Sequence, residues 1–250
     1  MGIFDDFFKG LRGKSGEKKI VRKLNALDFF GYDGRCLRNL YIPREDGSTS
    51  EIDVVYITSK GIFVIESKNY SGYIFGNEHY KNWTSTLYAG KTWYGGNGIE
   101  KYHFFNPVWQ NKSHVKAIRG YLGEVKTYSF IVFGSDCELK DVSVSNEGVY
   151  VCTASGLKSL FKAVWNSEPN VYSDSQVADM YNRLVSLTNV DRQVKNKHIQ
   201  DIKYRQNNMS LICPWCGGEL VLRTAKKGTY AGKNFYGCSN YPKCKFILNP

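Results

Sequence analysis

Residues 51–69 read EIDVVYITSKGIFVIESKN. Two apolar runs flank Ser59, Lys60 and Gly61, a tight-turn tripeptide, so the stretch is read as a β-hairpin. Turning there sets Asp53 opposite Glu66. Directly opposed residues share a face, with Cβ atoms roughly 4.5–5.5 Å apart. Lys68 lies two residues beyond Glu66 and points to the same face, because side chains alternate along a strand. Two carboxylates and a lysine then converge at one end of an otherwise apolar hairpin. A one-residue slip in register would break the set apart. The spacing alone also fits a surface Asp–Lys–Glu ion cluster. If the pair is buried, its self-repulsion calls for a cation between the carboxylates. Mg²⁺ or Mn²⁺, completed by phosphate and water, is the natural choice.

Around this hairpin the chain alternates helices and strands. Residues 15–30 read as an amphipathic helix with Ile20, Leu24 and Leu27 on one face, Ser15 as cap and Gly31 as stop. Further strands are expected over 36–42, 129–133 and 149–153. Asn106-Pro107 opens a second helix over 107–122, with Asn as cap and Pro in the first position. Helices are also expected over 157–165 and 173–187. Residues 70–105, rich in Tyr, Trp, Asn and Gly, are expected to form short strands and loops.

The ordered features GEKKIV (16–21), EIDVVYIT (51–58), GIFVIESKNYSG (61–72) and NPVWQNKSHV (106–115) resemble the nuclease-related domain family of the PD-(D/E)xK nuclease superfamily. The resemblance covers residues 14–125. It implies an α/β fold: a restriction-endonuclease-like mixed central sheet flanked by helices. It also implies Asp53, Glu66 and Lys68 as the catalytic core, with Mg²⁺ or Mn²⁺ on Asp53 and Glu66. Glu17 lies three residues before Ile20 on the apolar face of the first helix. It can point inward as a further metal or water ligand, or serve as a solvent-facing first-turn Glu. Gln110, in the first turn of the second helix, is read as a contact to substrate or water, or as an ordinary exposed helix residue. Ile52 stands where the family has a Val or Pro-type residue.

The second informative stretch starts at Cys213 and reads CPWCGGELVLRTAKKGTYAGKNFYGCSNYPKCKFI. Cys213 and Cys216 form one pair, and Cys238 and Cys244 the other. The 21 residues between the pairs fit two antiparallel strands. Four thiolates in a tetrahedron make a structural zinc site, and a module this small depends on metal to fold. Disulfides are the disfavoured alternative. Cys36, Cys137 and Cys152 sit in apolar, strand-like segments and are read as core residues. The runs CPxCGGELVLR and FYGCSNYPKC resemble the C-terminal zinc fingers of bacterial type IA topoisomerases. That resemblance is confined to this tail and implies binding of single-stranded DNA. Tyr230, Phe235, Tyr236 and Tyr241 interleave there with Lys226, Lys227, Lys233, Lys243 and Lys245, a pattern of base stacking beside a basic groove. One of Phe235 and Tyr236 is expected to fill the small core instead.

Charge supports a polyanionic partner. The chain carries a net +11 over 250 residues. Residues 190–250 hold 11 Lys and Arg against 3 Asp and Glu, while the other 189 residues hold 23 against 20. A basic module attracts nucleic acid. No apolar run approaches the ~20 residues of a membrane span, and the N-terminus lacks the pattern of a signal peptide, so a cytoplasmic protein with no membrane partner is expected. The expected division is a nuclease-related domain over 1–190 with its core over 14–165, a polar linker or helix extension over 191–210, and a zinc ribbon over 211–250. The expected function is a metal-dependent DNA endonuclease anchored by the ribbon. A nucleic-acid-binding protein with an inert nuclease-like fold is the alternative. A homodimer is compatible with either, since many nucleases pair to cut both strands.

Overall fold

A computed structural model describes residues 3–44, 47–91, 97–208, 213, 215, 218–227 and 231–248, with backbone alone for 3–15, 89–91, 97 and 202–208. The elements are α1 (Ile3–Asp28), β1 (Gly34–Pro43), β2 (Thr49–Thr58), β3 (Gly61–Lys68), β4 (Gly72–Asn77), β5 (Asn82–Lys91) and β6 (Asn97–Phe105). They continue with α2 (Pro107–Leu122), β7 (Thr127–Phe133), β8 (Cys137–Ser143), β9 (Val149–Thr153), α3 (Leu157–Ser167), α4 (Asp174–Val185) and α5 (Arg192–Asn208). Last come β10 (Leu220–Thr224), β11 (Asn234–Cys238) and β12 (Ile247–Leu248).

The fold is α/β, with a mixed five-stranded sheet at its centre ordered β1-β2-β3-β7-β9. β1, β2 and β3 form an antiparallel meander, and β7 and β9 continue it in parallel. Both faces of β2 and β3 are covered, which explains their near-continuous apolar runs. On one face α1 and α3 bring Ile20, Leu24, Leu27, Leu157 and Phe161 against Val54, Tyr56, Phe63 and Ile65. On the other, α2 and α4 bring Ala117, Ile118, Val177, Met180 and Leu184 against Val55, Ile57, Ile62 and Val64.

Two expectations need correction. α1 is already running at Ser15, so Ser15 is not its cap; no proline precedes it to stop the helix. Gly31 does close the helix, at φ 78°, with its N–H donating to the Asp28 carbonyl. Residues 70–105 are more regular than expected. β4, β5 and β6 join β8 in a second, four-stranded sheet ordered β6-β5-β4-β8. Its inner face buries Ile74, Trp83 and Phe104. Gly76 is required there, because a Cβ would lie 2.0 Å from the Trp83 ring.

Asn106 ties this sheet to α2. Its side-chain oxygen accepts from Val108 N–H at 2.9 Å, the capping bond expected for the Asn-Pro start. Its amide nitrogen donates to the carbonyls of Asn77, Glu78 and Tyr80 at 2.7–3.2 Å. The residue is fully buried. Asn106→Ala strips the cap and orphans those carbonyls, so we expect a stability loss of roughly 2–4 kcal/mol in a denaturant titration.

α5 falls in the stretch read as linker or helix extension, and it docks on the sheet. His198 is buried, with Nδ1 2.9 Å from Thr49 Oγ1 and Nε2 3.5 Å from Glu51 Oε2. Tyr41 donates to Glu51 at 2.6 Å. β10, β11 and β12 form a small three-stranded sheet at the C-terminal end. Among the described residues, no helix is long and apolar enough to cross a membrane.

Candidate active site

The β2–β3 ladder pairs Val54 with Ile65 and closes at Thr58–Gly61, the register expected from the turn. Asp53 and Glu66 lie one step beyond its last pair. Here the sheet loosens. The β1–β2 ladder keeps its register but skips the Asn39–Asp53 pair, and Asn39 takes a left-handed φ of 53°. Asn tolerates that region better than most residues. Ile52 packs with Val55 and Ile57, not with Val54 and Tyr56, so the alternation of β2 shifts phase at Asp53. The Asp53 carboxylate is thereby carried to the end of β3, where its Oδ2 accepts from Ser67 N–H at 2.8 Å.

Glu66 is almost completely buried. Lys68 Nζ stands 2.8 Å from its Oε1, and His114 Nε2 3.2 Å from its Oε2. Lys68 also donates to Gln110 Oε1 at 2.8 Å. His114 Nδ1 is 2.7 Å from Ser50 Oγ, which accepts from Arg44 at 2.9 Å. Arg44 donates as well to Ser113 Oγ at 2.7 Å. On the far side, α1 comes close enough that a Cβ on Gly16 would meet Ser67 Oγ at 2.9 Å. This approach buries Glu17 next to the centre, where its charge acts on Asp53. The solvent-facing alternative for Glu17 is therefore excluded.

The electrostatics are unbalanced. Burial and the adjacent Glu66 carboxylate push the Asp53 carboxyl well above its usual range; Ser67 N–H and Lys68 oppose this, and Glu17 adds to it. Burial alone would raise Glu66 too, but Lys68 and His114 hold it at about 2. Burial would lower Lys68, yet Glu66 and Asp53 keep it above its ordinary value, so it is a firm cation. One lysine stands among three carboxyl groups, an oxygen-rich donor set that suits a hard divalent cation.

The sequence alone groups Asp53, Glu66, Lys68, Glu17 and Gln110, and the fold converges all five. It does not assign His114, Ser50 or Arg44. A signal exists: His114 follows Gln110 by four residues and so shares its helix face. Cys152 is buried and Cys36 and Cys137 are half-buried, with thiols pushed up to about 12, 12 and 11 by burial. They are packing residues without nucleophilic character.

Residues 12–134 match the nuclease-related domain family. Over those residues the chain is similar to that family. An uncharacterized protein of Bacillus anthracis is 29% identical to it over 200 residues, covering 80% of this chain and 86% of the relative. Residues 211–250 match the topoisomerase DNA-binding C4 zinc finger. DNA topoisomerase 1 of Archaeoglobus fulgidus is 64% identical over 36 residues, or 14% of this chain, and that of Methanocaldococcus jannaschii 63% over 35 residues, also 14%. The chain spans only 5% and 4% of those two relatives. No solved structure matches the chain.

In this C-terminal segment three of the four cysteines come together. Cys213, Cys238 and Cys244 are buried with sulfurs mutually within 4.8 Å, the one such ligand group among the described residues. Cys213 and Cys244 sulfurs are 3.7 Å apart. That is far beyond a disulfide and close to the ~3.8 Å edge of a tetrahedron with Zn–S bonds of ~2.3 Å. The donor set therefore fits structural zinc. Cys216 and Tyr230 lie outside the described residues. Lys226, Lys227, Lys233, Lys243 and Lys245 are exposed, as is Tyr241, and Phe235 is half-exposed. Tyr236 packs against the apolar cluster that holds the ribbon's cysteines and so serves the core.

The ribbon is seated on α2. Phe246 packs edge-on to Trp109 with ring centroids 4.6 Å apart, and Trp215 lies 5.4 Å from Phe246. Lys112 Nζ stands 3.4 Å from the Trp215 ring centre. Trp215 follows Cys213 by two residues, and Phe246 follows Cys244 by two. The same helix that presents Gln110 and His114 to the carboxylates thus presents Trp109 and Lys112 to the ribbon.

Proposed function

We propose that the chain is a metal-dependent DNA endonuclease whose zinc ribbon helps hold the DNA. The observation that carries this reading is the convergence of Asp53, Glu66 and Lys68 at one point at the end of β3. Asp53 and Glu66 would hold Mg²⁺ or Mn²⁺, with Glu17 beside them. A bound divalent ion supplies Lewis-acid polarisation of the phosphodiester and a water of lowered pKa. Lys68, charged and held by Gln110, is placed to stabilise negative charge building on the phosphate. The exposed lysines and Tyr241 of the ribbon suit a single strand, by backbone contact and stacking. The division into a nuclease-related domain, a connecting helix and a ribbon belongs to the same proposal.

The test is plasmid cleavage with Mg²⁺ or Mn²⁺. Lys68→Ala is expected to lower the rate roughly 10²–10³-fold. Equal nicking by wild type and variant refutes the assignment. A second reading, a DNA-binding protein with an inert centre, draws on the engagement of both Glu66 oxygens by Lys68 and His114. It predicts cation-independent binding and no nicking by the wild type.

A further inference from the structure

α2 grips both oxygens of Glu66. Through Gln110 it fixes Lys68, which meets Oε1; one helical turn later His114 meets Oε2 directly. A Glu66–Lys68 ion pair needs no histidine, and His114 sits nine-tenths buried on the face of α2 turned toward the sheet. Its second nitrogen is also engaged. Arg44 has donors only, so it gives hydrogens to Ser50 Oγ and Ser113 Oγ. Ser50 Oγ also lies 2.7 Å from His114 Nδ1. The other ring nitrogen, Nε2, lies 3.2 Å from Glu66 Oε2.

We propose that His114 is a positioning residue of the carboxylate centre, holding Glu66 in place beside Asp53 for a divalent cation, and is itself held by Ser50 and Arg44. This inference rests on the endonuclease reading for the cation. Partners that orient a ligating carboxylate typically govern metal affinity by 10–100-fold.

The experiment measures Mn²⁺ affinity by calorimetric titration of the full chain, and cleavage as a function of Mn²⁺. His114→Ala is expected to weaken Mn²⁺ binding about 10–100-fold. It should lower cleavage at limiting Mn²⁺ but recover most of kcat at saturation, whereas Lys68→Ala stays slow at any concentration. His114→Gln, which can still donate to Glu66, is expected to restore affinity to within about tenfold of wild type. Should the alanine variant fail to fold, Ser50→Ala provides the second probe, leaving the imidazole present but without its Ser50 contact; it too should weaken Mn²⁺ binding. Unchanged Mn²⁺ affinity in a folded His114→Ala or Ser50→Ala protein overturns the inference and leaves the endonuclease reading standing. Normal Mn²⁺ binding by a wild type that cuts no DNA overturns the endonuclease reading and leaves the positioning role standing. No Mn²⁺ binding by the wild type overturns both.

Discussion

Replacing Asp53 by Asn is expected to abolish cleavage and, in the same protein, to raise the melting temperature measured without metal. The two effects have one cause. Asp53 is half-buried, desolvated against Glu66 and within the field of Glu17, with only Lys68 and the Ser67 N–H to offset them. Its raised carboxyl works against folding at neutral pH. For an acid whose folded value lies above its ordinary 3.8, stability is lost as pH rises from that value through the raised one. Asn keeps the shape and removes the charge. The gain should be on the order of 1 kcal/mol, or roughly 2–4 °C for a chain of this size. It should shrink as pH falls below the ordinary 3.8, where wild-type Asp53 is protonated in either state. Glu66 behaves oppositely. Held at about 2, it lends stability above its ordinary 4.5, and that stability is lost as pH falls from 4.5 toward 2. Cleavage by the Asn variant should fall at least about 10³-fold, since the centre loses a cation ligand. Wild type should gain thermal stability on adding Mg²⁺ or Mn²⁺, and the variant much less. A variant no more stable than wild type in metal-free buffer would mean that Asp53 is not repelled there.

Zinc removal should have the second large effect. Binding of a structural zinc contributes roughly 10–16 kcal/mol in small finger peptides, so the ribbon cannot hold its shape without it. Chelation, or Cys238→Ser, is expected to release the knuckles that carry Trp215 and Phe246. The exposed lysines would then no longer be held in one array. Affinity for a labelled oligonucleotide, followed by anisotropy near 0.1 M salt, should fall about 10–100-fold. The salt slope should flatten by roughly 0.7–0.9 for each phosphate that the lysines cease to neutralise. Running single-stranded and duplex arms in parallel decides which form the ribbon prefers. Affinity indifferent to zinc would remove the ribbon from DNA binding. Tryptophan fluorescence should report the same transition, because Trp109 and Trp215 both border the contact.

Asp53, Glu66 and Lys68 could be grouped from the sequence because a tight turn leaves little freedom in register, although the phase shift of β2 at Asp53 was not readable there. Glu17 and Gln110 were legible from family motifs, and their convergence then followed from α1 and α2 packing on opposite faces of one sheet. His114 was not assigned, because its four-residue spacing from Gln110 marks a shared helix face but not the Glu66 that it meets on β3. The second sheet was missed for a different reason. Tyr73, Tyr88 and Ile99 are exposed on it, so apolar residues do not alternate cleanly with polar ones. α5 reads as linker because its composition is polar; only the buried His198, meeting Thr49 and Glu51, reveals that it is docked. The four cysteines announced the ribbon, while the surface it rests on was silent.

That resting surface changes how the chain can be cut. Similarity to known families stops at residue 134 and resumes at 211, which invites treating the two ends as interchangeable cassettes. Trp109 is 2% exposed, and Phe246, also 2% exposed, is one of the rings that seals it. A truncation before the ribbon would present that indole to water on the same helix that carries Gln110 and His114. Self-association of the shortened protein could then pass for a loss of DNA binding. Transplanting the ribbon elsewhere calls for the Trp109 and Lys112 face of its host to travel with it.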